Sequence, residues 1–172
     1  MKKHLTAFIL FYSISFAYSQ MSNGMHPAVN INIPSDFHQL SVEEINKKYT
    51  LPTNRPTVVY ASSDKTANIT YNYTQNPLPK ERIKELKELL VQQFGAAKMQ
   101  ILSSDIKEIN TKEFVFIEMV APSYTGGNVY NIITATNLED RMLLISFNCP
   151  EFLMEKWKPT AFEILESIKI ME

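Results

Sequence analysis

Apolar and polar residues recur along this chain with two different periods. Val29, Ile31 and Ile33 alternate with asparagines, the period-two pattern of a strand, and Pro34 ends it. Ser41 and Glu44 then form a capping box, with Leu40 and Ile45 placed as a hydrophobic staple, so a short helix starts there and stops before Pro52. Residues 57–74 read as two strands, TVVYASS and ANITYNYT, around the turn Asp64-Lys65-Thr66. Pro79 opens the clearest helix. Ile83, Leu86, Leu90 and Phe94 fall on one face, and the charged run from Lys80 to Glu88 fills the solvated remainder. Gly95 stands where a left-handed C-cap is expected.

Four strands follow as a meander, near residues 98–108, 113–121, 128–136 and 141–148. Short polar connections at Asn110-Thr111-Lys112, 123–127 and 137–140 favour antiparallel hairpins. Phe114, Phe116 and Val120 share one face of their strand, while Val115, Ile117 and Met119 share the other. Met142 and Leu144 likewise oppose Leu143, Ile145 and Phe147. A sheet with one wet face would carry polar residues at alternate positions, so both faces here are expected to be covered. Pro150 to Leu165 reads as a helix, interrupted at Pro159, with Phe152, Trp157, Phe162 and Leu165 turned inward. Ile168 and Ile170 form a last short strand. The expected fold is α+β: a three-layer α/β/α sandwich with a central, mostly antiparallel sheet. It spans one domain, residues 28–172, after a loose stretch at 20–27.

The N-terminus changes the picture. Lys2 and Lys3 precede an apolar stretch from Leu5 to Phe16, and Ala17-Tyr18-Ser19 places small residues at the positions a signal peptidase reads. The apolar run, about 12 residues, falls short of the roughly 20 that a spanning helix needs. The expectation is a signal peptide at 1–19, cleaved after Ser19, with a retained anchor as the alternative. No cysteine stands at the cleavage point to carry a lipid. The product is expected to be exported, periplasmic or secreted, and not stably inserted in a membrane after cleavage. Cleavage leaves about 150 residues, enough for one domain with its own core. It also removes two lysines from a chain whose net charge is already −1. That balance argues against a nucleic-acid partner. Cys149 is the single cysteine, so no internal disulfide forms; following LLISFN, it reads as a small buried hydrophobe.

The segments NINIPSDF at 30–37, KEFVFIEMV, GGNVYNIITATN, RMLLISFNCP and the ending KWKPTAFEILESIKI, in this order of elements, resemble the PsbP-like α/β/α sandwich. That fold is shared by the extrinsic PsbP subunit of photosystem II, the Ran-binding nuclear-import factor of the Mog type and small bacterial exported proteins. The resemblance covers about residues 29–170. It implies a largely non-enzymatic protein that binds or stabilises assemblies, and it carries no residue-level functional motif.

The chemistry-bearing residues agree with that implication. Outside the signal segment the histidines are His26, in the loose stretch, and His38, beside Phe37 near a helix start. Two scattered histidines and one cysteine do not make a zinc site, so no metal is expected. No G-x-S-x-G elbow occurs, and four glycines build no phosphate loop or dinucleotide fingerprint, so no cofactor is expected. Three features remain. Glu118 sits inside an apolar strand; buried, it would have a raised pKa, but a sheet-edge or partly exposed glutamate is the plainer reading. Tyr71 and Tyr73, at period two, are candidates for an aromatic contact patch, against a core rim with hydroxyls reaching water. Tyr124, in the loop at 123–127, is a third candidate contact, against a plain turn. The functional expectation is an exported, non-catalytic accessory protein that binds or stabilises another envelope protein or complex. The alternative is a carrier of a small apolar ligand held between sheet and helix.

Overall fold

The structure is a computed structural model and describes residues 24–52, 55–123 and 126–171. The signal segment and Tyr124 lie outside the described residues. The described elements are β1 (Val29–Asn30), β2 (Phe37–Gln39), α1 (Val42–Lys48), β3 (Val58–Ser62), β4 (Asn68–Pro77) and α2 (Ile83–Ala96), followed by β5 (Gln100–Ile109), β6 (Lys112–Pro122), β7 (Asn128–Leu138), β8 (Arg141–Pro150), α3 (Met154–Glu166) and β9 (Lys169–Ile170). Seven strands form one sheet in the order β2-β3-β4-β8-β7-β6-β5, with every neighbouring pair antiparallel. β1 and β9 pair separately, antiparallel, so the first and last strands close on each other.

Local chemistry accounts for most of these boundaries. The capping box of α1 is present: Ser41 Oγ accepts from Glu44 N, and Glu44 Oε2 accepts from Ser41 N. The β5–β6 and β7–β8 hairpins turn on two residues each. Asn110 and Thr111 (φ 48° and 72°) and Glu139 and Asp140 (φ 49° and 57°) are left-handed, as a twist-matched two-residue turn requires. The cap of α2 differs from expectation. Gly95 lies inside the helix, and Lys98 takes the left-handed position (φ 58°). Met99 N donates to Phe94 O at 3.0 Å and Lys98 N to Gly95 O at 2.9 Å, the paired bonds of a Schellman motif with lysine where glycine is usual. Pro159 does not break α3. It lies on the exposed side, and buried Trp157, Ala161, Ile164 and Leu165 hold the helix to the sheet around it.

The two sheet faces carry separate cores. On the first, Tyr71, Phe114, Phe116, Tyr130, Ile145 and Phe147 pack under α3 and the β1–β9 ribbon. On the second, Val115, Ile117, Ala135 and Met142 pack under α2, whose Ile83 is buried and whose Leu86, Leu90, Val91 and Phe94 are partly so. The faces of β6 and β8 divide as their alternation requires. Cover on the second face is nevertheless incomplete. The last turn of α1 reaches it through Lys48 Nζ, which donates to Asn68 Oδ1. Between the two helices, Thr70, Asn72, Ser146, Asn148 and Asn131 form a half-exposed polar lane. β4 and the far half of β8 carry small polar residues on this face, and these bond to protein groups: Thr70 Oγ1 lies 2.6 Å from Ser146 Oγ, Asn68 Nδ2 donates to Asn148 Oδ1 at 3.1 Å, and Asn72 Oδ1 accepts from Thr57 N at 2.9 Å.

Two further expectations change. Residues 24–27 are not loose: Met25 packs against the first core and His26 N donates to the Tyr71 hydroxyl. His38 lies where expected, in β2 three residues before the Ser41 cap of α1. Phe152, expected inward, is 84% exposed. It stands in a 3₁₀ turn, Glu151–Leu153, five positions before Trp157 and therefore about 140° from the inward face by helical phase.

Candidate functional site at the strand ends

Tyr71 and Tyr73 do not form an exposed patch. β4 lies between β3 and β8, and its odd positions face the α3 layer, so Tyr71 is 1% and Tyr73 7% exposed. Their hydroxyls meet protein rather than bulk water. The Tyr71 oxygen accepts from His26 N at 2.9 Å, and the Tyr73 hydroxyl donates to Leu138 O at 3.1 Å. Burial pushes the Tyr71 phenol up to about 12. The imidazole of His26 stands edge-on to the Tyr73 ring at 5.1 Å, and its Nε2 lies 3.7 Å from Glu139 Oε1. The structure thus brings His26, Tyr71 and Tyr73 together as a packed cluster that fastens the N-terminal segment to the β7–β8 turn. His38 is exposed on the edge strand β2, opposite Ala61, and takes no part.

Glu118 is neither at the sheet edge nor partly exposed. β6 has neighbours on both sides, α3 crosses above, and the residue is 5% exposed. Its Oε1 accepts from the Tyr130 hydroxyl at 2.9 Å and from Lys158 Nζ at 2.5 Å, and its Oε2 accepts from Ser103 Oγ at 3.3 Å. Burial acts to raise its pKa. The bonds from Lys158, Tyr130 and Ser103 outweigh burial and hold the carboxyl below its usual range, so the raised value expected for a buried glutamate is also corrected. The same carboxylate, after burial, drives the Tyr130 phenol far above its ordinary range. Lys158 and Tyr130 gave no signal in the sequence. They lie 40 and 12 residues from Glu118 and meet it only because α3 crosses β6 and β7 pairs with it. The arrangement anchors α3 to the sheet. A fixed, ionised carboxylate already bonded to three donors is a poor general acid or base.

A second polar anchor holds the same helix. Asp64 in the β3–β4 turn accepts from Ser62 Oγ, Thr66 N and Thr66 Oγ1, and from Lys156 Nζ at 3.0 Å. These bonds, led by the one from Ser62, keep its carboxyl well below the usual range. Trp157 Nε1 donates to Thr66 Oγ1 at 3.0 Å, and its ring meets Phe37 edge-on at 5.7 Å. Cys149 is buried, and burial pushes its thiol up to about 11. Among the described residues no three His, Cys, Asp or Glu side chains form a metal-ligating group, and no helix is long and apolar enough to cross a membrane.

Among the described residues, the large aromatic exposed to solvent lies elsewhere. β8 ends at Pro150, and the 3₁₀ turn that follows is braced by Asn128 Nδ2, which donates to Glu151 Oε2 at 2.8 Å. Phe152 projects from that braced turn. At the same end of the sheet, Ala121, Val129 and Pro150 stand in register across β6, β7 and β8, each half-buried. This end of the sheet is the candidate contact site. The five-residue offset of Phe152 from Trp157 marks it as outward only once Trp157 is known to face the sheet.

Comparison with solved structures identifies the architecture as a PsbP-like fold. Cyanobacterial PsbP (CyanoP) from Synechocystis sp. PCC 6803 superposes with a TM-score of 0.59 at 8% identity, over 89% of this chain and 90% of that one. LpqN of Mycobacterium tuberculosis, described as involved in cell envelope biogenesis, gives 0.52 at 12% identity over 84% and 83%. The Ran-binding protein Mog1p of Saccharomyces cerevisiae gives 0.50 at 14% identity over 84% and 91%. No family model and no curated protein sequence matches the chain.

Proposed function

We propose that this chain is an exported accessory protein that acts by surface contact with another envelope protein or complex and performs no catalysis of its own. One observation carries the reading. The side chains best suited to chemistry, Glu118, Tyr71, Tyr130 and Cys149, are buried, and the first three are engaged in internal bonds, whereas the fold holds a large aromatic, Phe152, in solvent. The architecture shared with PsbP, with an envelope-biogenesis protein and with a Ran-binding protein supports a binding role on this scaffold. A carrier of a small apolar ligand would need a closed apolar chamber between sheet and helix. That space is filled by Phe116, Phe147, Trp157 and Ile164. The cleft of about 340 Å³ lined by Asn32, Ile33, Pro34, Glu163 and Ile164 includes exposed Asn32 and Glu163 and lies at the surface.

The reading has two tests. Export predicts that protein recovered from the envelope has an intact mass corresponding to a chain beginning at Gln20; recovery of the full-length chain in the membrane fraction would overturn that part. Surface contact predicts that His26→Ala combined with His38→Ala leaves a folded protein that still complements a deletion strain. A double variant that melts normally but fails to complement would show that these histidines do chemistry.

A further inference from the structure

We infer that Phe152 is the anchor by which this protein docks on its partner, and that the partner is a protein presenting an apolar pocket with a basic rim. The inference rests on the accessory reading above and names its contact site. Single exposed apolar residues are common and usually need no explanation. Phe152 differs in three respects. It is a full phenyl ring at 84% exposure, where the other large exposed apolar side chains among the described residues carry no ring and lie between 41% and 60%. Its backbone is bounded: Pro150 and α3 flank the turn, and Asn128 Nδ2 donates to Glu151 Oε2 across it. Docking then has to order only the two side-chain torsions of the ring, which favours it as a hot-spot residue. It also follows within two residues of Pro150, the last member of the half-exposed row Ala121–Val129–Pro150.

Charge selects the occupant. Glu151 and Glu155 flank Phe152, and the nearest cation along the chain, Lys156, is paired with Asp64. An aromatic between carboxylates is repelled by an anionic lipid surface, and two copies meeting here would bring like charges together. A protein pocket rimmed by Lys or Arg complements both the ring and its acidic neighbours.

The test uses the full chain in its own cells, with photoreactive benzoylphenylalanine as the probe at position 152, 155 or, as a control, exposed Leu89 on α2. The expected result is one discrete protein adduct from positions 152 and 155 and none from 89. With the probe at 155, Phe152→Ala should lower adduct yield by about 30-fold, the loss of a hot-spot contact. Phe152→Leu should retain most of the yield, and Glu151→Lys should weaken it. Each variant should melt close to the wild type, because Phe152 is 84% exposed and the Asn128–Glu151 bond is exposed. An adduct only with a second copy or with lipid, or a yield unchanged in Phe152→Ala, overturns the proposal. An adduct from 89 alone overturns the Phe152 site and leaves the accessory reading standing. No adduct from any position overturns both.

Discussion

Replacing Lys158 by Met tests whether Glu118 is a structural anchor. The substitution keeps much of the side-chain length and removes the ammonium that donates to Glu118 Oε1. Glu118 would stay buried, with Tyr130 and Ser103 as its remaining donors. Removing one partner of a fully buried pair costs about 3–5 kcal/mol. The Lys158 side chain is 39% exposed, so solvent already screens part of this interaction, and a loss of about 1–3 kcal/mol is expected instead. For a domain of this size, that corresponds to a melting temperature lower by roughly 3–9 °C.

The pH dependence sharpens the test. In the wild type the folded-state pKa of Glu118 lies below its unfolded value. The carboxylate therefore contributes stability above the unfolded pKa, and that contribution is lost as pH falls through the folded one. In Lys158→Met the burial remains while the donor that most lowers this pKa is gone, so the folded pKa should rise. The gap between variant and wild type should therefore be widest near neutrality and close as pH falls through the wild-type folded pKa, which lies below the ordinary carboxylate value. Glu118→Gln combined with Lys158→Met removes the charge as well and should recover part of the loss at neutral pH. Urea unfolding followed by the fluorescence of Trp157, the single tryptophan, measures all three proteins. A loss below about 0.5 kcal/mol that does not change with pH would match an ordinary surface ion pair and refute the anchor.

Three other outcomes are expected. Trp157→Ala should cost about 3–5 kcal/mol in urea unfolding followed by far-UV circular dichroism, because it empties a buried site beside Phe37 and Phe147 and leaves Thr66 without its donor. Lys98→Gly should raise stability by about 1 kcal/mol, read as a higher melting temperature, because glycine takes the left-handed cap of α2 without steric cost. Cys149 should react with a thiol reagent far more slowly in the native protein than in denaturant, and labelling at the unfolded rate would show that the β8 end is open.

Features that depend on neighbours in sequence were legible without the structure. The box of Ser41 and Glu44 closes within one helical turn, the stripe from Ile83 to Phe94 needs only helical phase, and the two-sided apolar pattern of β6 follows from the strand's period of two. The hairpin order of β5 to β8 was legible for the same reason, since short polar connections leave few alternatives. Features that depend on which strands become neighbours were not. Tyr71 and Tyr73 read as a rim until β4 was seen between β3 and β8. Glu118 read as exposed until α3 delivered Lys158, because the partner that stabilises a buried charge can come from anywhere in the chain. Phe152 read as core because an apolar residue near a helix start has no phase until the helix is docked. Docking through Trp157, Ala161, Ile164 and Leu165 set that phase and turned the ring to water. Sequence determined the elements and the faces of the meander, since those are local periodicities. Tertiary structure alone decided which polar groups are buried with partners and which aromatic is left outside, since both depend on contacts between residues far apart in the chain.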